Sequence, residues 1–137
     1  MKKMLVVLVL CVALFGGDFE KGEAAYGRGD YYSAVKYFKK AANQGDSAAQ
    51  YNLGYIYFVT DEMKDYTKAA YWFEKSANQE VTQAQRFIAL LYIEGKGVKQ
   101  DYKKAVYWLE KAIDNGYTDS QELLDALCSK YPWACKK

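Results

Sequence analysis

Leu91–Asn115 reads LYIEGKGVKQDYKKAVYWLEKAIDN, and the chain on either side of it holds looser copies. Asp101-Tyr102 opens a helix-like run, as Asp30-Tyr31 and Asp65-Tyr66 do earlier. Ala34, Ala69 and Ala105 are equivalent, as are Phe38, Phe73 and Leu109, and Lys40, Lys75 and Lys111, at spacings of 35 and then 36 residues. Self-similarity at this period predicts a helical solenoid, in which no unit can bury its apolar face alone and stacking supplies the core. The fold class expected is all-α, a right-handed α/α superhelix of antiparallel helix pairs.

Within the copies the periodicity is that of a helix with one apolar face. Tyr31, Ala34, Phe38 and Ala41 fall at offsets of 0, 3, 7 and 10, and Tyr66, Ala69, Phe73, Ser76 and Tyr102, Ala105, Leu109, Ala112 repeat them. The small residues admit a neighbouring helix and the aromatics fill the gaps. Asp30, Asp65 and Asp101 are the expected N-caps. Between these helices lie three more. They open on Ser47-Ala48-Ala49-Gln50, Thr82-Gln83-Ala84-Gln85 and Thr118-Asp119-Ser120-Gln121, each of which has the form of a capping box. Leu53, Ile88 and Leu124 are expected in the core, Gly54 and Ala89 at close helix crossings, and Tyr57 and Tyr92 at the edge of the buried face. Gly45 and Gly116 stand where a helix stops on a left-handed residue, and Glu80 interrupts that pattern. The loop 59–64 lacks both glycines of Gly95-Lys96-Gly97-Val98 and is one residue shorter, so the preceding helix either runs on or the loop tightens. Asp125 and Cys128 replace the small residue and the tyrosine in the last copy, as expected of a capping helix with a polar outer side.

The first 17 residues have the form of a secretory signal peptide: Met1-Lys2-Lys3, twelve apolar residues from Met4 to Phe15, then Gly16-Gly17. Twelve helical residues rise about 18 Å, short of the roughly 30 Å hydrocarbon core. Leu10 stands before Cys11 where a lipobox needs a small residue. Loss of Lys2 and Lys3 leaves 17 Lys and Arg against 17 Asp and Glu. A neutral chain without a basic run lacks the electrostatic footprint of a nucleic-acid binder. The mature chain is expected to be periplasmic or secreted, without a membrane segment. Residues 18–29 then form a capping half-repeat, 30–128 the repeats and 129–137 a tail. Cys128 and Cys135 should pair in an oxidising compartment, with Pro132 turning the tail back and Trp133 pinned against the last helix. Two cysteines and no histidine argue against a metal site, and the spacing is not that of a redox Cys-x-x-Cys pair. No cofactor is implied.

AQYNLGYIY (49–57), EGKGVKQDYKKAVYWLEKA (94–112) and AANQGDSAAQ (41–50) resemble the Sel-one-like repeat (SLR) family, relatives of the tetratricopeptide repeats. The resemblance covers about 30–128 and implies an adaptor whose stacked helix pairs form a concave groove for a protein or peptide. On the tetratricopeptide register Tyr51, Tyr55 and Phe58 face that groove, followed by Arg86, Leu90 and Ile93, then Glu122 and Ala126, with Asn52 and Phe87 at the border. Exposed aromatics with an arginine have the composition of a binding hot spot. Tyr71, Trp72, Tyr107 and Trp108 are expected to pack between repeats. The terminal departures imply a monomer.

Some secreted, cysteine-rich members of that family carry a beta-lactamase label, which makes beta-lactam binding or weak hydrolysis the alternative. Ser33-Ala34-Val35-Lys36 matches Ser-x-x-Lys, but neither Ser-Asp-Asn nor Lys-Thr-Gly occurs, and the cysteine pair in each repeat is missing. No histidine is present to activate a nucleophile, and no catalytic residue is assigned.

Overall fold

A helix at 17–27 (α1) is followed by six more: α2 Tyr31–Asn43, α3 Ser47–Val59, α4 Tyr66–Asn78, α5 Thr82–Glu94, α6 Tyr102–Asp114 and α7 Ser120–Lys130. This is a computed structural model, and it describes residues 17–137. The signal-peptide assignment, apart from Gly17, and the Cys11 question lie outside the described residues. Among the described residues there is no strand. Each helix from α2 to α7 packs on the next, the nearest-neighbour order of a solenoid.

The even helices form as the pattern dictates. Asp30, Asp65 and Asp101 cap them, each carboxylate accepting from the backbone N–H three residues on at 3.0–3.1 Å. Their own N–H groups point backwards: Asp65 N–H donates to the Tyr57 carbonyl and Asp101 N–H to that of Tyr92, both at 2.9 Å. One aspartate thus ends one helix of a pair and starts the other. Ala34, Ala69 and Ala105 are completely buried, and Phe38, Phe73 and Leu109 fill the space beside them. Gly54 lies against the Phe73 ring so closely that a Cβ there would come within 2.9 Å of it. That crossing distance explains the small residue.

The opening turns of the odd helices correct the capping-box expectation. Asp46, not Ser47, caps α3 and accepts from the Ala49 N–H at 2.9 Å; α5 and α7 begin after Val81 and Asp119 with no side-chain cap. The glutamines act across the fold instead. Buried Gln50 donates to the Ala42 carbonyl at 3.1 Å, and buried Gln85 to the Ala77 carbonyl at 3.2 Å, so each adds a second donor to a carbonyl near the end of the preceding helix that already accepts from the Gly45 or Glu80 N–H. The next repeat adds to this: Gln79 donates to Gln50 Oε1 at 2.9 Å and to the Gly45 carbonyl at 3.0 Å, and Asn115 donates to Gln85 Oε1 at 3.4 Å. Ser76, standing where the other copies have Ala41 and Ala112, donates to the Ser47 carbonyl at 2.8 Å.

Glu80 adopts the left-handed conformation itself, at φ 65°, where Gly45 and Gly116 sit at 94° and 92°. Its carboxylate holds Asn115 Nδ2 at 2.6 Å and Lys111 Nζ at 3.3 Å, contacts that offset an unfavourable backbone. In the loop 59–64 the helix does not run on. α3 stops at Val59, a 3₁₀ turn over Asp61–Met63 follows, and Lys64 closes it on Asp61 at 2.6 Å. The longer loop needs its glycines: Gly95 ends α5 at φ 63°, and Gly97, at φ 70°, lies where a Cβ would overlap the Tyr66 carbonyl.

Three further expectations change. Leu124 is only half-buried, and Leu127 carries the buried face instead. The aromatic pairs divide: Trp72 and Trp108 are buried, whereas Tyr71 and Tyr107 are 53% and 50% exposed beneath Lys75 and Lys111. Cys128 and Cys135 form a disulfide with Cα atoms 5.7 Å apart. The tail it holds buries Ala134 rather than Trp133, which is 54% exposed and meets the edge of Tyr102 on α6. Tyr131 stacks on Tyr102 at 4.1 Å.

Candidate functional site

The odd helices line one face of the stack, and that face is aromatic because Tyr51, Tyr55 and Phe58 recur at helical spacing along α3. Phe87 of α5 reaches into this row. Its ring stacks on Phe73 at 5.0 Å with planes 8° apart and meets the rings of Phe58, Tyr55 and Tyr51 at 5.3, 5.8 and 6.1 Å. Phe58 also packs on Tyr66 and Phe73, at 5.8 and 6.2 Å. Phe58 and Phe87 therefore form the floor, held by both neighbouring repeats.

Tyr51, Asn52 and Tyr55 are half-buried and open onto a cavity of about 350 Å³ between α3 and α1. Glu23, Tyr26 and Gly27 supply the opposite wall and Phe38 the base. α1 docks through Phe19 and Gly22 on Phe38, with the two rings 5.7 Å apart, and its last turn forms the wall facing α3. Burial, and then the neighbouring Tyr55 and Tyr31 phenols, push Tyr26 above the ordinary phenol range. Burial, followed by Tyr55, Tyr117 and Tyr26, does the same for Tyr51. These phenols stay protonated at neutral pH, so the wall offers ring faces and hydroxyl groups without charge.

Arg86 and Leu90 on α5 are half-buried one repeat further along. The Arg86 Nε is shielded from solvent and has no acceptor among the described residues, an unsatisfied donor of the kind that needs an explanation. Ile93 belongs to a second cavity of about 350 Å³, with Tyr102, Leu123, Ala126, Leu127, Lys130 and Tyr131. Glu122 is exposed. Ser33 lies against the Asp30 carboxylate that caps α2, and Lys36 Nζ lies 5.9 Å from the Tyr37 ring. Both residues thus have structural partners. Glu23, Tyr26 and Tyr117 were not singled out for the groove from the sequence, since they recur at no repeat position; the lone signal was the apolar Tyr26 in the first helix.

Among the described residues no three His, Cys, Asp or Glu side chains converge to hold a metal ion, and no helix is long and apolar enough to cross a membrane.

Helix pairs stacked in register, with an aromatic face built by alternate helices, define a repeat scaffold. The Sel1 repeat model matches residues 17–46, 47–81 and 82–117, and the chain belongs to that family. It is similar to the crystal structure of a Sel1 repeat protein from Oxalobacter formigenes, with 28% identity and a TM-score of 0.73 over 82% of this chain and 34% of that one. It is also similar to a protective antigen present in uropathogenic Escherichia coli strains that displays an SLR fold, with 30% identity and a TM-score of 0.77 over 89% of this chain and 27% of that one. The chain therefore spans about a third of the first relative's length and about a quarter of the second's. Cysteine rich protein B of Helicobacter pylori shares the fold at 22% identity and a TM-score of 0.68, over 85% of this chain and 94% of that one. No curated protein matches the chain.

Proposed function

We propose that this Sel1 repeat chain is an exported scaffold that holds a protein or peptide partner in the concave groove lined by α1, α3 and α5. The observation that carries the reading is the open aromatic cavity at Tyr51, Asn52 and Tyr55, beside the packed aromatic row of α3 and α5. Phe87 packs against Tyr51 and Tyr55 from the far side, with Phe58 beside it, and a rigid aromatic surface binds with little loss of side-chain freedom. Arg86, half-buried on α5, brings a guanidinium to the same face, and Leu90 extends the apolar strip. The disulfide-held tail at 129–137 packs on α6 and α7 and covers that end of the stack, which favours a monomer. Export is supported by the apolar run 4–15 and by a disulfide of the kind that persists in oxidising compartments.

The test is a pull-down with tagged protein from periplasmic extract, set beside a Tyr51→Ala, Tyr55→Ala, Arg86→Ala variant of matched thermal stability. A partner kept by the wild type and lost by the variant is the expected result. Equal retention by both would remove the groove from the reading.

A further inference from the structure

Resting on the groove reading above, we infer that the cavity between α1 and α3 is a subsite for the guanidinium of an arginine in the partner segment. Its walls carry one carboxylate, Glu23, one side-chain amide, Asn52, and the rings of Tyr26, Tyr51, Tyr55 and Phe38, with no basic residue among them. Glu23 has no ion-pair partner among the described residues, and the lysine nearest in sequence, Lys21, is engaged over the Tyr37 ring of α2 at 5.7 Å. α1 as a whole carries Asp18, Glu20 and Glu23 against Lys21.

Elsewhere a lysine often covers a tyrosine ring: Lys68, Lys96 and Lys104 lie over Tyr57, Tyr66 and Tyr92, each at 5.3 Å, and Lys75 and Lys111 lie over Tyr71 and Tyr107 at 5.2 and 5.7 Å. Among the described residues Tyr26, Tyr51 and Tyr55 have no such cation; Tyr31, Tyr32, Tyr102 and Tyr117 also have none, but Tyr26, Tyr51 and Tyr55 share their cavity with the Glu23 carboxylate. Ring faces attract a cation through their quadrupole, and the attraction grows when water is excluded, as in a recess. A guanidinium suits this lining better than an ammonium: it is planar, stacks on a phenol and presents paired donors to a carboxylate. An apolar side chain would make no use of the Glu23 carboxylate, which would keep its water.

The test uses blocked tripeptides, acetyl-Gly-Arg-Gly-amide and acetyl-Gly-Leu-Gly-amide, titrated into isotope-labelled protein while the tyrosine ring signals are followed. The arginine peptide is expected to shift Tyr26, Tyr51 and Tyr55 saturably and to bind about fivefold more tightly than the leucine peptide. Glu23→Gln, an exposed change that leaves the melting temperature unaltered, is expected to cost the arginine peptide about fivefold and the leucine peptide nothing. Equal affinity for the two peptides, arginine binding indifferent to Glu23→Gln, or no shift at these tyrosines would each overturn the inference. The groove itself is judged separately. A partner lost by the Tyr51, Tyr55, Arg86 variant but held undiminished by Glu23→Gln leaves the scaffold reading standing and removes the arginine.

Discussion

Replacing Gln85 by alanine tests why a glutamine stands at the start of the odd helices. In the fold its side chain is completely buried and satisfies the Ala77 carbonyl at the end of α4 while accepting from Asn115 of the following repeat. Truncation removes one of the two hydrogen bonds to the Ala77 carbonyl, which keeps that from the Glu80 N–H at 3.1 Å; the loss costs about 1 kcal/mol, and the void where two methylenes and an amide packed about another 1 kcal/mol. The total is roughly 2 kcal/mol, or about 7 °C of melting temperature for a domain of this size. Two variants supply internal controls. Gln121 occupies the same repeat position in α7 but is exposed and bonds only to Asp125, so Gln121→Ala should cost under about 0.5 kcal/mol. Thr82→Ala should also be close to neutral, because Val81 rather than Thr82 precedes the helix and no side chain caps it; a true capping box would lose about 1 kcal/mol there. Urea unfolding followed by circular dichroism reads all three. Equal shifts for Gln85→Ala and Gln121→Ala, or a loss at Thr82 as large as that at Gln85, would refute the tertiary role of the glutamine.

Ser120 stands where the earlier copies have buried Ala49 and Ala84, and its hydroxyl is buried without a partner; Ser120→Ala should therefore stabilise the protein by about 1 kcal/mol, measured as a raised urea midpoint. Reducing the Cys128–Cys135 bond frees a loop of eight residues and should cost about 2.5 kcal/mol, so melting in reductant should fall to match the Cys128→Ser, Cys135→Ser double variant. Asn115 and Lys111 hold the Glu80 carboxyl below its ordinary range; the stability this contributes is complete above that range and is lost as pH falls through the lowered value. Glu80→Gly should accordingly gain on the wild type between pH 5 and about pH 3, and parallel acid titrations of the two proteins would show otherwise if the contacts carry no weight. Burial first, and then the Glu74 carboxylate, push the Tyr92 phenol up to about 12, so it should ionise well after the exposed tyrosines in an ultraviolet titration. Because its folded value is the higher one, its contribution is present below about pH 10 and disappears as pH rises towards about 12.

Much of this protein was legible from local pattern. The Asp-Tyr openings, the Ala-x₃-Phe spacing and the 35-residue period specify helices, caps and pairwise stacking, because each depends on residues within one or two turns or on their repetition. The cysteine pair could also be read, since two residues on either side of a proline in a short tail have few other partners. Periodicity puts Tyr51 and Tyr55 on one face of α3, and both line the cavity. Their neighbours there carry no such mark: Glu23 and Tyr26 lie some 25 or more residues earlier on a helix outside the repeat pattern, and only the docking of α1 on Phe38 brings them opposite.

What the sequence by itself determined is the scaffold: paired helices at a repeating period, the aspartate caps of the even helices, and the inward stripe of those helices. Tertiary structure alone decided what the polar and aromatic residues on those helices do. Gln50 and Gln85 satisfy the local rule for a capping box, yet they serve a carbonyl eight residues back on a neighbouring helix, because burial there removes the water that would otherwise pair with it. Trp72 and Tyr71 are adjacent and equally aromatic, but the next helix covers one and leaves the other beneath a lysine. Glu80 breaks the glycine rule and is held in place by a residue 35 positions later. In each case the deciding energy comes from removing a group from water or pairing it across repeats, and that depends on the neighbour supplied by the stack.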